Sequence, residues 1–284
     1  MAANILDGKY VAEKIRAQIR LNVETRIQQG RQAPGLAVVL LGDDPASSIY
    51  VNRKRNACRE VGFHSFAYHL STKTTESELV SLIDTLNDDA DVHGILVQLP
   101  LPAHINPYAI IERIHPSKDV DGFHPFNLGR LAQGNPRLRP CTPYGVMTLL
   151  NAYERPVAGK NAVVVGASNI VGRPMALELL HAKATVTICH RLTHDLKQHV
   201  RMADILVVAA GTYNVVPVDW LSKNQTVIDI GIHRKPDGTI HGDVDFNAAL
   251  QTVAWITPVP GGAGPMTICA LLQNTLLAAT YLST

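Results

Sequence analysis

Cysteine is scarce in this 284-residue sequence, and no charge of one sign dominates it. The four cysteines lie far apart, without a C-x-x-C pair and without a histidine at zinc-ligand spacing: Cys58, Cys141, Cys189 and Cys269. This pattern argues against a disulfide framework and against a cysteine-based zinc site. We therefore expect four reduced packing cysteines and no metal ion.

Long single-sign charge runs and signal-like segments are also missing. The 26 basic and 24 acidic residues are interspersed, so we expect no nucleic-acid partner and no membrane partner. The N-terminus carries no signal-peptide apolar stretch, which favours a cytoplasmic location. The one membrane-like segment, 266–282, contains Gln273 and Asn274 and is short for a span. We predict that it forms a helix in the core.

Helical and strand patterns alternate along the chain. The first set of predicted elements comprises helices at 8–29, 46–61 and 76–87, strands at 36–41, 65–70 and 94–98, and a helix starting at 106–107. The second set comprises strands at 161–165, 185–189, 205–209, 227–230 and 253–256. Such alternation predicts parallel sheets covered by helices. Between the sets, residues 119–143 are rich in Gly, Pro, Asn and Arg and predict an irregular crossover.

The predicted fold is α/β, with two α/β domains and an active-site cleft between them. Residues 1–139 are expected to form an N-terminal α/β domain, joined by a C-terminal helix at 265–284. Residues 140–264 are expected to form a Rossmann-like nucleotide-binding domain. The length of the chain suffices for two ordinary cores.

The run VVVGASNIVGRP, residues 163–174, predicts a phosphate-binding turn. A buried strand ends at Gly166, and the helix that follows presents free N–H groups and its positive dipole end. The spacing departs from G-x-G-x-x-G because Ser168 replaces the second glycine and Gly172 falls one residue late. A tight strand-to-helix turn without a ligand is the alternative.

The second strand of this set, 185–189, is followed by His190 and Arg191. An NAD-binding protein carries an acid near this position, for the ribose 2′-hydroxyl. A guanidinium instead pairs with a 2′-phosphate, so Arg191 predicts NADP as the cofactor. An exposed loop arginine is the alternative interpretation.

Tyr50 and Lys54 are four residues apart on a predicted helix and share one face. This pairing favours proton handling, and a solvated lysine beside a packed tyrosine is the alternative. Gln98 ends an apolar strand, where parallel sheets present ligand-facing groups. Asp119 and Asp121 alternate in direction, which leaves one carboxylate for a substrate amino group, unless both cap turns.

Six ordered segments resemble the bifunctional methylenetetrahydrofolate dehydrogenase/methenyltetrahydrofolate cyclohydrolase family of the bacterial FolD type. They are SSIYVNRK, GILVQLPLP, PSKDVDGFHPFNLGRL, PCTPYGV, VVVGASNIVGRP and TPVPGGAGPMT, and they cover essentially the whole chain. The resemblance implies NADP-dependent oxidation of 5,10-methylenetetrahydrofolate to the methenyl form, followed by hydrolysis to 10-formyltetrahydrofolate. It also implies a homodimer and a folate substrate, with residues 1–139 as the folate-binding and catalytic domain.

The resemblance assigns roles to particular residues. Lys54 matches the catalytic lysine, Tyr50 the tyrosine that stacks on folate, Gln98 the partner of the lysine, and Asp121 the acid that anchors the pterin. Further substrate-binding residues are Ser47, Leu99, Pro260 and Gly261. Cofactor-binding residues are Gly166, Ala167, Ser168, Ile170, Arg191 and Ile232. Many relatives carry an arginine where this chain has Ala167, which leaves more of the 2′-phosphate binding to Arg191.

Three other functions are compatible with these residues. The first is a folate dehydrogenase without cyclohydrolase activity, and the second is a dinucleotide-dependent enzyme acting on another small carbonyl or amine. The third is a non-enzymatic NADP sensor, which has no use for the set Tyr50, Lys54, Gln98 and Asp121. Product analysis with folate substrates distinguishes the three.

Overall fold

The computed structural model describes residues 2–235 and 237–282, and the chain divides into two compact units. The C-unit comprises Met1–Glu13 and Thr142–Thr267, and the N-unit comprises Lys14–Cys141 and Ile268–Thr284. Residues 1, 283 and 284 of the predicted domain bounds lie outside the described residues. The structure differs from the prediction at the N-terminus, because strand β1 (Asn4–Ile5) pairs in parallel with β11 (Trp255–Ile256) and so belongs to the C-unit.

The N-unit contains a three-stranded parallel sheet in the order β3-β2-β4. Its strands are β2 (Gly35–Leu41), β3 (His64–Leu70) and β4 (Gly94–Val97). The helices before and between these strands are α1 (Gly8–Gln28), α2 (Pro45–Val61) and α3 (Glu76–Asp88), followed by α4 (Pro107–Arg113). Every residue of β2 is buried, and apolar side chains of β2 and β4 pack against those of α3 and α4. A sheet buried in this way accounts for its continuous apolar strands.

The segment 119–143, predicted to be irregular, contains helix α5 (Pro125–Ala132) and the start of α6 (Cys141–Ala152). The His124 imidazole caps α5 by accepting the Phe126 N–H at 3.0 Å, and proline occupies the first helical position. The prediction was wrong here because histidine is an unusual cap and a glycine interrupts the apolar pattern.

The C-unit contains a six-stranded parallel sheet in the order β1-β11-β8-β7-β5-β6. Its remaining strands are β5 (Asn161–Val165), β6 (Thr185–Cys189), β7 (Ile205–Val208) and β8 (Thr226–Asp229). Its other elements are α7 (Gly172–His181), α8 (Leu196–Met202), a hairpin of β9 (His233–Arg234) and β10 (Ile240–His241), and α9 (Phe246–Ala249). Strand β6 lies on one side of β5 in the sheet, and the chain then returns to form β7 on the other side of β5. The carboxyl ends of β5 and β7 therefore flank the crevice in which such sheets bind ligands.

Helix α10 (Ala263–Leu282) contains the apolar segment that the sequence assigns to the core. Its buried Asn274 donates two hydrogen bonds, to Val120 O at 2.8 Å and to Arg139 O at 2.7 Å. A polar residue in this apolar helix therefore satisfies backbone carbonyls of the N-unit. Among the described residues, no helix reaches the length and apolarity that crossing a bilayer requires.

Candidate active site

Helix α2 carries Tyr50 and Lys54 on one face, as the spacing predicted. The Asp44 carboxylate caps the helix by accepting the Ser47 N–H at 2.8 Å. Lys54 is buried, with 9% of its surface exposed, whereas the neighbouring Arg53 is exposed. Tyr50 is half-buried, and burial raises the pKa of its hydroxyl while the Arg53 charge opposes the shift. The face therefore presents an amine and a protonated phenol.

Gln98 directly follows β4 and holds the Lys54 side chain. Lys54 Nζ donates a hydrogen bond to Gln98 Oε1 at 3.1 Å, and Gln98 Nε2 donates to the carbonyl oxygen of Leu99 at 2.8 Å. The second bond assigns the orientation of the amide, because only its NH₂ group can donate to a carbonyl. The Gln98 backbone N–H donates to Val39 O at 2.9 Å and so extends the sheet register. The sheet register at β4 and the Gln98 side chain together orient Lys54.

Asp121 is the carboxylate beside this lysine. It is half-buried, and burial raises its pKa to about 6, although the Lys54 charge acts in the opposite direction. Asp119 is instead almost fully buried and accepts hydrogen bonds from the backbone of Phe123 and His124 and from the Asn127 side chain. Only Asp121 of the predicted acidic pair therefore remains available to a ligand. We call Lys54, Gln98 and Asp121 the Lys54 cluster.

The other predicted substrate residues occupy both units. Ser47 is buried in the first turn of α2, and Leu99 is half-buried immediately after Gln98, so both belong to the N-unit. Pro260 is exposed in the C-unit, in the turn that precedes α10. Gly261, in the same turn, accepts the Lys9 N–H at 3.0 Å.

The predicted phosphate turn joins β5 to α7 in the C-unit. Gly166 has a φ of +123°, and a Cβ at this position would overlap the carbonyl oxygen of Ala209, so only glycine fits. The Ser168 hydroxyl accepts the N–H groups of Val171 at 3.2 Å and Gly172 at 3.4 Å. Serine in place of the second glycine thus supports the start of the helix.

The surroundings of this turn fit an anionic dinucleotide. Ser168 and Ile170 are exposed, and the turn leads into the N-terminus of the ten-residue helix α7. Gly166 N donates to Cys189 O at 2.9 Å, which joins the turn to the end of β6, two residues before the exposed Arg191. Ile232 is 50% exposed, three residues after β8.

Arg173 is a candidate that the sequence reasoning missed. Its Nε donates to Ala167 O at 3.2 Å, so the guanidinium of this exposed residue folds back onto the turn. Arg173 and Arg191 form no ion pair with a carboxylate within the part of the chain that is described. The available signal was its place in the first turn of α7, where the helix dipole disfavours a cation unless an anion binds nearby.

Comparisons with known proteins match the whole length of the chain. Residues 6–121 match the family model of the tetrahydrofolate dehydrogenase/cyclohydrolase catalytic domain, and residues 140–283 match that of its NAD(P)-binding domain. The chain is 58% identical over 282 residues to the bifunctional protein FolD of Legionella pneumophila strain Corby, covering 99% of each protein.

Two solved structures are similar in both sequence and fold. The crystal structure of the bifunctional enzyme FolD from Campylobacter jejuni is 50% identical, with a TM-score of 0.96 over 99% of each chain. The Trypanosoma brucei methylenetetrahydrofolate dehydrogenase-cyclohydrolase, solved with NADP cofactor and an inhibitor, is 37% identical, with a TM-score of 0.95 over 99% of this chain and 98% of the other. The chain therefore belongs to the tetrahydrofolate dehydrogenase/cyclohydrolase family.

Proposed function

We propose that the protein oxidises 5,10-methylenetetrahydrofolate with NADP and hydrolyses the resulting 5,10-methenyltetrahydrofolate to 10-formyltetrahydrofolate. The family description names both activities, and the Legionella relative is called bifunctional. The observation that carries the hydrolytic half is the 3.1 Å hydrogen bond between Lys54 and Gln98, with Asp121 beside it.

Substrate binding is assigned to the Lys54 cluster and its neighbours. Tyr50 stacks on the pterin ring, and Asp121 accepts hydrogen bonds from the pterin amino group and ring N–H. A carboxylate facing such a pair of donors forms a strong bidentate contact. Ser47 and Leu99 in the N-unit, and Pro260 and Gly261 in the C-unit, complete the proposed substrate-binding set.

Cofactor binding is assigned to the C-unit, and NADP, when bound, supplies a hydride acceptor. Gly166, Ala167 and Ser168 form the turn whose backbone and helix N-terminus receive the phosphates. Ile170 and Ile232 supply exposed apolar surface for the rings. The chain then contributes position rather than a base, because hydride departure from the methylene carbon requires alignment.

The choice of NADP is assigned to Arg191 together with Arg173. Two guanidinium groups that have no carboxylate partner among the described residues, one folded back onto the turn and one two residues after the end of β6, provide donors for a dianionic 2′-phosphate. We expect Arg191→Ala and Arg173→Ala each to reduce the ratio of kcat/KM for NADP to that for NAD, by about tenfold. An unchanged ratio in both variants would contradict the assignment.

Hydrolysis requires proton transfers, which we assign to the Lys54 amine. The water oxygen adds to the methenyl carbon, and the amine takes the first proton from the water. The carbon–N5 bond then breaks, N5 gains a proton, and the added hydroxyl loses one as the formyl carbonyl forms. The net change is release of one proton. Gln98 keeps the amine directed at the reacting carbon throughout.

One assay tests the complete proposal. Purified protein is supplied with 5,10-methylenetetrahydrofolate and either NADP or NAD, and nicotinamide reduction, methenyl absorbance and 10-formyl product are followed together. We expect NADP reduction with formyl product and little lasting methenyl signal. Accumulating methenyl product would instead indicate a dehydrogenase alone, and no turnover would refute the proposal.

Two further assignments accompany the function. We propose a homodimer, supported by β3, a seven-residue strand at the edge of the N-unit sheet that offers a pairing surface. We also propose a cytoplasmic location, supported by four buried free thiols.

A further inference from the structure

We propose that His233 is a positioning residue that acts through Asp243 to hold the Ala210–Gly211 turn against the cofactor crevice of the C-unit. The inference rests on the proposed NADP-dependent function. It adds a residue of the β9–β10 hairpin to the groups that determine cofactor affinity.

The Ala210–Gly211 turn forms one wall of that crevice. It follows β7, whose carboxyl end lies beside that of β5 at the switch point of the sheet. Ala209, the residue before this turn, contacts the phosphate turn directly, since a side chain at Gly166 would overlap the carbonyl oxygen of Ala209. A displaced Ala210–Gly211 turn therefore changes the space next to the dinucleotide phosphates.

The Asp243 carboxylate connects this turn to His233. Its Oδ2 accepts the N–H groups of Ala210 at 2.7 Å and Gly211 at 2.9 Å. Its Oδ1 accepts the His233 Nε2–H at 2.7 Å, which assigns that tautomer because an ionised carboxylate only accepts. Asp243 is fully buried, so loss of the histidine leaves a buried carboxylate oxygen without this hydrogen-bond donor.

A second buried carboxylate increases the need for that donor. Asp229 accepts the Asp243 N–H at 2.9 Å and the Val244 N–H at 2.9 Å, so two acidic residues share one apolar region. Burial raises the pKa of Asp229 to about 6, and the Asp243 charge acts in the same direction. A side chain at Gly231 would overlap Asp243 Oδ1, so the backbone approaches this carboxylate closely. Asp243 is therefore held through its backbone by Asp229 and through its side chain by His233.

Tyr213, two residues after the Ala210–Gly211 turn, contacts the same hairpin. Its ring lies edge-on to His233, with centroids 6.1 Å apart, and edge-on to His241 at 6.2 Å. Lys235 Nζ lies 5.6 Å from the ring centroid. His241 shares the hairpin and the aromatic neighbour but hydrogen-bonds Thr239 at 3.1 Å instead of the carboxylate. It therefore provides a matched control for the loss of a histidine.

The test compares four variants of the full chain. H233A and H233F remove the donor, H233N retains a side-chain N–H, and H241A is the control. Affinity for NADPH is measured by calorimetry without folate, and hydrolysis of added 5,10-methenyltetrahydrofolate, which consumes no nicotinamide, is measured separately. We expect H233A and H233F to weaken NADPH binding about tenfold, and H233N and H241A to stay within about twofold of wild type. Hydrolysis stays within about twofold in all four.

Several outcomes would overturn the inference. Unchanged NADPH affinity in H233A and H233F would exclude positioning by His233, and an equal loss in H241A would indicate a general effect of the hairpin. Equal loss of hydrolysis and NADPH affinity would indicate a merely structural role. If H233A does not fold, H233F against H233N gives the same comparison. If wild-type protein itself binds no NADPH, the proposed function fails, which is distinct from a failure confined to His233.

Discussion

At the scale of single residues, Lys54 separates the two proposed activities. Replacing it with glutamine removes the amine that handles protons but keeps a polar side chain of similar length beside Gln98. We expect Lys54→Gln to lower cyclohydrolase kcat by about 100-fold or more while hydride transfer falls by less than about tenfold. Arg53→Gln, on the exposed side of α2, is the matched control. Equal loss of both activities with unchanged folate affinity would contradict the division.

Asp121 gives the active site its expected pH dependence. Its pKa is raised to about 6, so the carboxylate that we propose binds the pterin is lost below that pH. We expect the KM for folate to rise as the pH falls below about 6, and Asp121→Asn to have a KM raised about 10- to 100-fold without this acid limb. Steady-state kinetics across the pH range tests the prediction. Asp88→Asn is the control. An acid limb retained in Asp121→Asn would contradict the assignment of this pH dependence to Asp121.

The same carboxyl affects stability with the opposite sign. Because the pKa of Asp121 is higher in the folded state than in the unfolded state, protonation of Asp121 stabilises the folded protein. This contribution to the free energy of unfolding is fully present below about pH 4. It is lost as the pH rises to about 6. The ionised Asp121 carboxylate therefore destabilises the fold, and the charge of Lys54 beside it partly offsets the cost of burial.

At the scale of elements, the side-chain amide of Asn274 in α10 hydrogen-bonds the backbone carbonyls of Val120, next to Asp121, and of Arg139. Asn274→Leu keeps the branched shape but removes one amide donor from each of Val120 O and Arg139 O, so we expect the free energy of unfolding to fall by about 2 to 4 kcal/mol. Urea denaturation measures the change. The adjacent Gln273 is the control, because its buried Oε1 has no hydrogen-bond partner among the described residues. A loss in Gln273→Leu as large as in Asn274→Leu would refute the assignment.

At the scale of the whole molecule, the exposed edge of β3 leads to a prediction about assembly. Ala67 is an exposed residue of this strand, and a lysine there disfavours edge-to-edge pairing. We expect Ala67→Lys to convert a dimer into a monomer, as measured by light scattering at matched concentrations. Ala109→Lys, at an exposed position of α4, should leave the mass unchanged. A wild-type monomer would refute the homodimer, and a dimeric Ala67→Lys protein would exclude the β3 edge.

The prediction of the contact between Lys54 and Gln98 has a clear physical basis. Helix α2 begins at the carboxyl end of β2, and Gln98 follows β4, which pairs with β2 in parallel. Carboxyl ends of neighbouring parallel strands meet at one edge, which accounts physically for a contact that the family resemblance, and not the local patterns, implied. The acidic pair was less predictable, because the burial of Asp119 depends on Asn127 in a helix that the sequence did not reveal.

The elements that escaped prediction depend on distant partners. Strand β1 is two residues long and exists because Asn4 pairs with Trp255 at the other end of the chain. The β9–β10 hairpin is equally short, and the role of His233 depends on a carboxylate ten residues away. Elements of this length carry too few residues for a periodic pattern.

The sequence by itself determined the alternating α/β plan, the phosphate turn, the cluster of candidate residues and the family resemblance. These properties follow from periodicity, turn chemistry and the order of motifs, which are local. Only the tertiary structure decided that Gln98 Oε1 accepts from Lys54, that Asp121 rather than Asp119 stays available, and that Asp243 joins His233 to the Ala210–Gly211 turn. The physical reason is that hydrogen bonds between distant residues require strand register and burial, which no local pattern specifies.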